Sequence, residues 1–310
     1  MKTFFMPGAA LTVPAVVAGM MRIEEKPDDQ IRALFDAALA AGINFFDHAD
    51  IYGTSVHACE RRFADVLRLS PAQRGEIILQ SKAGIVRDGP YFDFSYEHLI
   101  ETVEGSLRAL KTDYLDVLLL HRPDALVEPD EVARAFDALE SAGKVRAFGV
   151  SNHTPGQIEL LRRSVRQALV ANQVQLSITH APIVAQGVAM NMAGLQQSIS
   201  RDLGVLDYCR LNDITVQAWS PFQAGVSAGV FLGSPDFAEL NAVIDRLAAS
   251  YDVPAEAIAV AWITRHPAHT QVVLGTTSPE RVTASARGAD VTLTRPEWYE
   301  LFRAAGYRVP

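Results

Sequence analysis

The chain has 310 residues, 49% of them hydrophobic and 21% charged, an ordinary globular composition with enough length for one large α/β barrel or two smaller domains. The net charge of −8, from 36 Asp and Glu against 28 Lys and Arg, argues against a broad nucleic-acid surface and leaves room for a small local anion site. Two cysteines, Cys59 and Cys209, cannot build a disulfide framework and lack metal-site spacing, so both read as packing residues in a reduced compartment.

At the N-terminus, Lys2 followed by apolar and small residues has features of an export signal, but Pro7-Gly8 and Pro14 break its hydrophobic core. A β-hairpin (residues 3–6 and 11–13) covering a barrel bottom explains the same letters, and the default expectation is a cytoplasmic protein. No run approaches the roughly 18 apolar residues that a membrane span needs.

A first strand is predicted at 15–20, then a helix through Ile31, Leu34, Phe35, Ala38 and Leu39, opened by Pro27-Asp28-Asp29 and stopped by Gly42. The second strand, 43–46, runs directly into Asp47, His48, Asp50 and Tyr52, as a buried strand does when its carboxyl end opens into a polar pocket. A helix at 57–67 precedes a third strand at 76–80, ending in Ser81-Lys82; a lysine there is either solvated at a rim or paired with an acid. Asp93 or Ser95 caps a helix to Leu110, and the fourth strand, 115–120, is followed at once by His121. A helix at 131–141 leads to a fifth strand at 145–150 and then Ser151-Asn152. After a helix at 155–167 comes a sixth strand at 171–175, whose amides Asn172, Gln173 and Gln175 suit a strand that faces a pocket. Residues 180–197 lack a clean period and read as a long loop over the barrel mouth, with a helix at 201–211 after it. The seventh strand, 214–219, ends at Trp219 before Ser220-Pro221-Phe222; helices at 236–249 and 254–265 lead to the eighth, 271–274, which feeds Gly275 to Arg281 and a helix start. A last helix at 297–304 closes the chain.

Eight buried strands alternating with helices imply the α/β class and a closed (β/α)8 TIM barrel, whose sites lie at the C-terminal strand ends. No linker or low-complexity tract divides the chain, so residues 1–310 are expected to form a single domain. A doubly wound sheet has no Gly-x-Gly-x-x-Gly after its first strand to support it.

Asp47, Tyr52, Lys82 and His121 then make a coherent chemical set. A phenol is a weak acid near neutrality, a nearby ammonium favours phenolate, an aspartate holds that ammonium in place, and a histidine can hydrogen-bond a carbonyl oxygen.

INFFDHADIYG (43–53), LQSKAGI with Lys82, LLLHRP with His121, FGVSN (148–152), Gln173, WSPF (219–222) and GTTSPERV (275–282) together resemble the aldo/keto reductases, in order along nearly the whole chain, and look most similar to a bacterial branch of predicted oxidoreductases. The resemblance implies reduction of an aldehyde or ketone by hydride transfer from a nicotinamide cofactor, usually NADPH, with Asp47, Tyr52, Lys82 and His121 catalytic and Tyr52 the general acid. It implies that Ser151, Asn152 and Gln173 hold the nicotinamide carboxamide and that Trp219, where many members have tyrosine, stacks on its ring. Met20, Ser220, Phe222, Gln223 and Gly225 would line the cofactor, the last four along the pyrophosphate. Gly275, Thr276, Thr277 and Ser278 would cradle phosphate, with Arg281 gripping the adenosine 2′-phosphate. Ser278 stands where many members have lysine and Ser285 where many have the asparagine that holds adenine, which leaves NADH possible beside NADPH.

The expected partner is a small carbonyl substrate, with no nucleic acid, membrane or obligate protein partner. Met21, Tyr91, Phe92, Ile183, Met190, Met192 and Phe222 are candidates for an apolar substrate wall. His48 and Asp50 read as structural neighbours, although with Asp47 and His121 they also permit a metal-dependent barrel hydrolase. A cofactor-binding regulatory subunit is a second alternative.

Overall fold

The computed structural model describes residues 1–225 and 229–310. Hairpin strands β1 (Thr3–Met6) and β2 (Leu11–Pro14) come first, then β3 (Val16–Gly19), α1 (Asp28–Ala40), β4 (Phe45–Asp47), α2 (Ala58–Leu67), α3 (Pro71–Gly75) and β5 (Ile78–Ala83). A short hairpin, β6 (Ile85–Val86) and β7 (Tyr91–Phe92), precedes α4 (Tyr96–Leu110), β8 (Leu115–Leu120), α5 (Pro129–Ser141), β9 (Val145–Ser151), α6 (Pro155–Leu161) and β10 (Leu169–Gln175). The remainder is α7 (Pro182–Val188), α8 (Val205–Leu211), β11 (Thr215–Trp219), α9 (Ala238–Tyr251), α10 (Ala255–Thr264), β12 (Gln271–Leu274), α11 (Pro279–Ala286) and α12 (Arg295–Ala304).

Strands β3, β4, β5, β8, β9, β10, β11 and β12 pair in parallel and close into the expected barrel. Each is buried on both faces, which is why LDVLLL in β8 reads as a nearly continuous apolar run instead of alternating. Outside the barrel, α1 buries Ile31, Leu34, Phe35 and Ala38 along one stripe, and Phe35 stacks on Phe46 with ring centroids 4.9 Å apart. A buried aromatic of this kind contributes about 1.5–3 kcal/mol relative to exposure. Near the end of the chain, Trp262 and Trp298 stack at 4.8 Å, and each indole N–H donates to the other's backbone carbonyl.

The β1–β2 hairpin closes the N-terminal end of the barrel. Met6 and Val13 are fully buried in one cluster with Val17, Phe45, Val117 and Leu119 from the barrel strands. With that end plugged by side chains, a ligand must enter at the C-terminal face.

Several predicted boundaries shift, and four of the shifts have a clear local reason. The third strand runs 78–83 instead of 76–80, because Glu76 still closes the turn of α3; Lys82 therefore lies inside the strand and is buried, not solvated at the rim. α6 stops at Leu161 because its last turn tightens into bonds from Arg163 N–H to Leu160 and Ser164 N–H to Leu161. Residues 180–197 are not a plain loop: α7 buries Ile183, Val184 and Ala185, which accounts for their apolar excess. The helix expected from 201 begins at Val205, where Asp202 Oδ1 accepts from Gly204 and Val205 N–H at 2.9 and 3.1 Å.

Candidate active site

The parallel register aligns the strand ends on which the chemistry depends. Gly19 pairs with Asp47, and Asp47 with Gln80, so the carboxylate projects beside β5, two residues from Lys82. Lys82 Nζ donates to Asp47 Oδ1 and Oδ2 at 2.8 and 2.7 Å, to the His48 carbonyl at 2.8 Å and to Tyr52 Oη at 3.1 Å. Burial alone would depress the ammonium, but Asp47 and Tyr52 together hold its pKa above the ordinary lysine value. Lys82 is thus held as a cation directly behind the tyrosine hydroxyl that lines the cavity.

His121 follows β8 and packs edge-on to Tyr52, ring centroids 5.9 Å apart. Burial, aided by the charges of Lys82 and Arg122, keeps its pKa well below the ordinary histidine value, so the ring is neutral at pH 7. A neutral imidazole can hydrogen-bond a carbonyl oxygen without competing with the phenol as the acid. Burial also raises Tyr52 above its ordinary pKa, although the charge and hydrogen bond of Lys82 pull it down. The ammonium favours phenolate as expected, but burial outweighs it, with the Asp47 charge adding to burial, and the phenol keeps its proton.

A cavity of about 780 Å³ opens above these groups. Tyr52, His121 and Asp47 lie at its reactive end beside Ser151, Asn152, Gln173 and Trp219, and Gly275, Thr276, Thr277 and Arg281 lie where α11 begins. Its floor is close-fitting, since a Cβ on Gly19 would sit 2.5 Å from the Leu274 carbonyl oxygen, and only glycine leaves that wall open. Ser278 Oγ accepts from Arg281 N–H at 3.2 Å and so starts α11 beside the cavity. Hydroxyl and amide groups at one end, an indole between, and backbone N–H groups with a guanidinium at the other suit a dinucleotide.

The Aldo/keto reductase family profile matches residues 15–304. The chain belongs to the aldo/keto reductase family. It is 34% identical over 306 residues to the 6-dehydroglucose reductase of Agrobacterium fabrum, covering 95% of each chain. It is 35% identical over 312 residues to the uncharacterized oxidoreductase YcsN of Bacillus subtilis, again over 95% of each. Among solved structures, an aldo-keto reductase from Klebsiella pneumoniae in complex with NADPH matches with a TM-score of 0.76 at 25% identity, over 100% of this chain and 97% of that one. The protein is an NAD(P)H-dependent oxidoreductase of the aldo/keto reductase family, acting on small carbonyl compounds.

Within this reductase, most of the predicted site residues gather on the cavity, and some do not. The Met20 side chain is buried in the core, and Met21 and Arg22 line the cavity. Ser285 is fully buried off the cavity and, among the described residues, has no partner for its hydroxyl, and Gly225 is not among the described residues of the wall. Ser278 caps α11 from outside the wall, while Ser220, Phe222 and Gln223 are on it. Among the apolar candidates Met21 and Phe222 line the cavity, whereas Ile183 is in the core, Met192 is half-buried, and Met190, Tyr91 and Phe92 are exposed. Asn172 faces no pocket either, since its side chain donates to the His153 carbonyl at 2.8 Å and ties β10 to the end of β9.

Sequence reasoning missed an amide chain crossing the barrel interior. Gln271 Nε2 donates to the Pro14 carbonyl at 2.7 Å, Gln217 to Gln271 at 2.9 Å, and Gln80 to both Gln217 and Asp47 Oδ1 at 2.9 and 2.6 Å. Gln173 Nε2 donates to Asp47 Oδ1 and to Gln217, both at 3.1 Å, which among the described residues leaves its side-chain Oε1 as the free end, while its backbone carbonyl accepts from Ser151. Glutamines inside the apolar stretches IILQS and ITVQAW were the available signal. Arg22, Arg122 and Glu256, also on the cavity wall, gave none.

His48 and Asp50 are buried behind the reactive end. His48 packs edge-on to Phe63 with both ring nitrogens unpartnered, and burial pushes its pKa down to about 4. Among the described residues no three His, Cys, Asp or Glu side chains gather as metal ligands, so the hydrolase reading has no ligand set. Burial, then the nearby Glu60 charge, push the Asp50 carboxyl up to about 8. Above pH 3.8 the unfolded chain has lost this proton while the folded protein still holds it, so Asp50 stabilises at low pH and that contribution is lost as the pH rises towards about 8. Asp50→Asn has no proton to lose, and its melting temperature should fall less than the parent's across that window; parallel melting curves at the two ends check this.

Proposed function

We propose that this protein reduces an aldehyde or ketone to the alcohol with NADPH, Tyr52 delivering the proton, and that the whole chain, 1–310, works as one domain in the cytoplasm. The observation that carries the reading is the unbroken Asp47–Lys82–Tyr52 hydrogen-bond chain at the bottom of the cavity. Among the described residues no helix is long and apolar enough to cross a membrane.

NADPH, when bound, supplies the hydride. The chain's own residues do the rest. Tyr52 Oη and the neutral His121 ring hydrogen-bond the carbonyl oxygen, drawing electron density from its carbon. As negative charge develops on that oxygen, the Tyr52 proton moves to it, and the phenolate left behind is stabilised by Lys82 at 3.1 Å. Asp47, held by Gln80 and Gln173, fixes the lysine so that none of this charge stabilisation requires reorganisation. Ser151 Oγ donates to the Gln173 carbonyl at 2.9 Å, and Trp219 Nε1 donates to Asn152 Oδ1 at 3.0 Å, so the indole is held with its face available to a nicotinamide ring.

The preference for NADPH rests on Arg281, a guanidinium matched to a 2′-phosphate, beside the hydroxyls of Thr276 and Thr277. Arg281→Ala should weaken NADPH binding by about 10–100-fold with little effect on NADH, as read by fluorescence titration of each cofactor. Equal weakening of both would remove the 2′-phosphate assignment. Following NADPH absorbance over a panel of small aldehydes and ketones tests the activity itself. The relative from Agrobacterium fabrum is named for reduction of 6-dehydroglucose, and hydroxylated aldehydes belong in that panel.

A further inference from the structure

Three arginines line the cavity of this acidic protein: Arg22, Arg122 and Arg281. Arg22 Nη1 already donates to the Gly275 carbonyl at 2.9 Å, tying the loop after β3 to the phosphate-cradle end. Arg281 begins α11 at that same end. Arg122 is different in both place and state. It directly follows His121, its guanidinium carbon lies 5.8 Å from the Trp219 ring centroid, and its charge acts on both His121 and Tyr52. Arg122 is exposed at the cavity wall, and among the described residues no carboxylate, carbonyl or hydroxyl accepts a hydrogen bond from it, so its five donors meet solvent until a ligand enters the cavity.

The wall also carries Ser220 and Gln223, which the cofactor reading claims, and a set of apolar side chains. Met21, Ile51, Ile85 and Val230 are apolar, while Tyr52 and His121 are committed to the reacting carbonyl. A planar fork of N–H groups beside that carbonyl recognises a pair of oxygens, as a carboxylate or a vicinal diol presents them. We propose that Arg122 is the substrate-selecting residue, and that the preferred substrates are small carbonyl compounds bearing a carboxylate or diol close to the reacting carbon. This rests on the carbonyl-reductase reading above and narrows it.

Three aldehydes of similar size separate the sources: glyceraldehyde for the diol, 4-oxobutanoate for the acid, and butanal with neither. At saturating NADPH, the parent should favour at least one oxygenated aldehyde over butanal in kcat/KM by about tenfold or more, and Arg122→Ala should bring that ratio close to one. Arg122→Lys, which keeps the charge without the fork, should retain the preference for the acid better than that for the diol. As a readout independent of turnover, calorimetric titration of butanoate or glycerol into the NADP⁺ complex should show weaker binding in the alanine variant. A ratio that survives Arg122→Ala, or an equal fall for all three aldehydes, overturns the proposal. A parent that reduces none of a wide carbonyl panel overturns instead the reading on which it rests.

Discussion

Tyr52→Phe is expected to lower the turnover of carbonyl reduction by about 10²–10⁴-fold while leaving NADPH binding close to that of the parent. The substitution keeps the ring that packs beside His121 and removes only the hydroxyl that meets Lys82 Nζ at 3.1 Å. What disappears is the proton that must reach the developing alkoxide, a group needed in the transition state and little needed in the ground state. The loss should therefore fall on kcat more than on KM. Stopped-flow single turnovers with NADPH prebound would separate this step from release of the product. A variant as fast as the parent would show that another group supplies the proton.

Lys82→Met should cost both activity and stability. Removing the ammonium leaves the Asp47 carboxylate buried, with the Gln80 and Gln173 amides at 2.6 and 3.1 Å as its remaining side-chain donors among the described residues. Breaking a buried ion pair from one side costs about 3–5 kcal/mol, because the remaining charge keeps its desolvation penalty without its partner. Urea unfolding should show that loss. Adding Asp47→Asn to Lys82→Met makes both partners neutral and should recover most of the stability, yet turnover should stay low because no cation remains behind Tyr52. Recovery of both properties in the double variant would mean that the pair serves folding alone.

Much of this was legible in the residues. Apolar runs of four to six residues ended by Gly, Ser, Asn or Asp located the eight strands, since a parallel strand covered on both faces has no room for polar side chains along its length. The polar letters at the ends of those runs located Asp47, His121, Ser151 and Trp219 for the same reason. Residues 180–197 were less legible, because α7 is one short amphipathic segment with Gly187 inside it. The amide chain was missed because a single glutamine in an apolar run reads as an irregularity until its partners on other strands are known.

By itself, then, the sequence determined the barrel, the family and the residue types at the reactive end, because each is written in local periodicity and in short motifs. Only the tertiary structure decided which of the polar residues in INFFDHADIYG act together. Asp47 meets Lys82 and Tyr52, while His48 is sealed against Phe63 and Asp50 is buried behind them. It also decided that the Met20 side chain is buried in the core while Met21 lines the cavity, and that Arg122 stands there with its donors unengaged. These outcomes depend on distances between strands that lie 30 or more residues apart, and on the balance between burial and charge, which the order of letters does not encode.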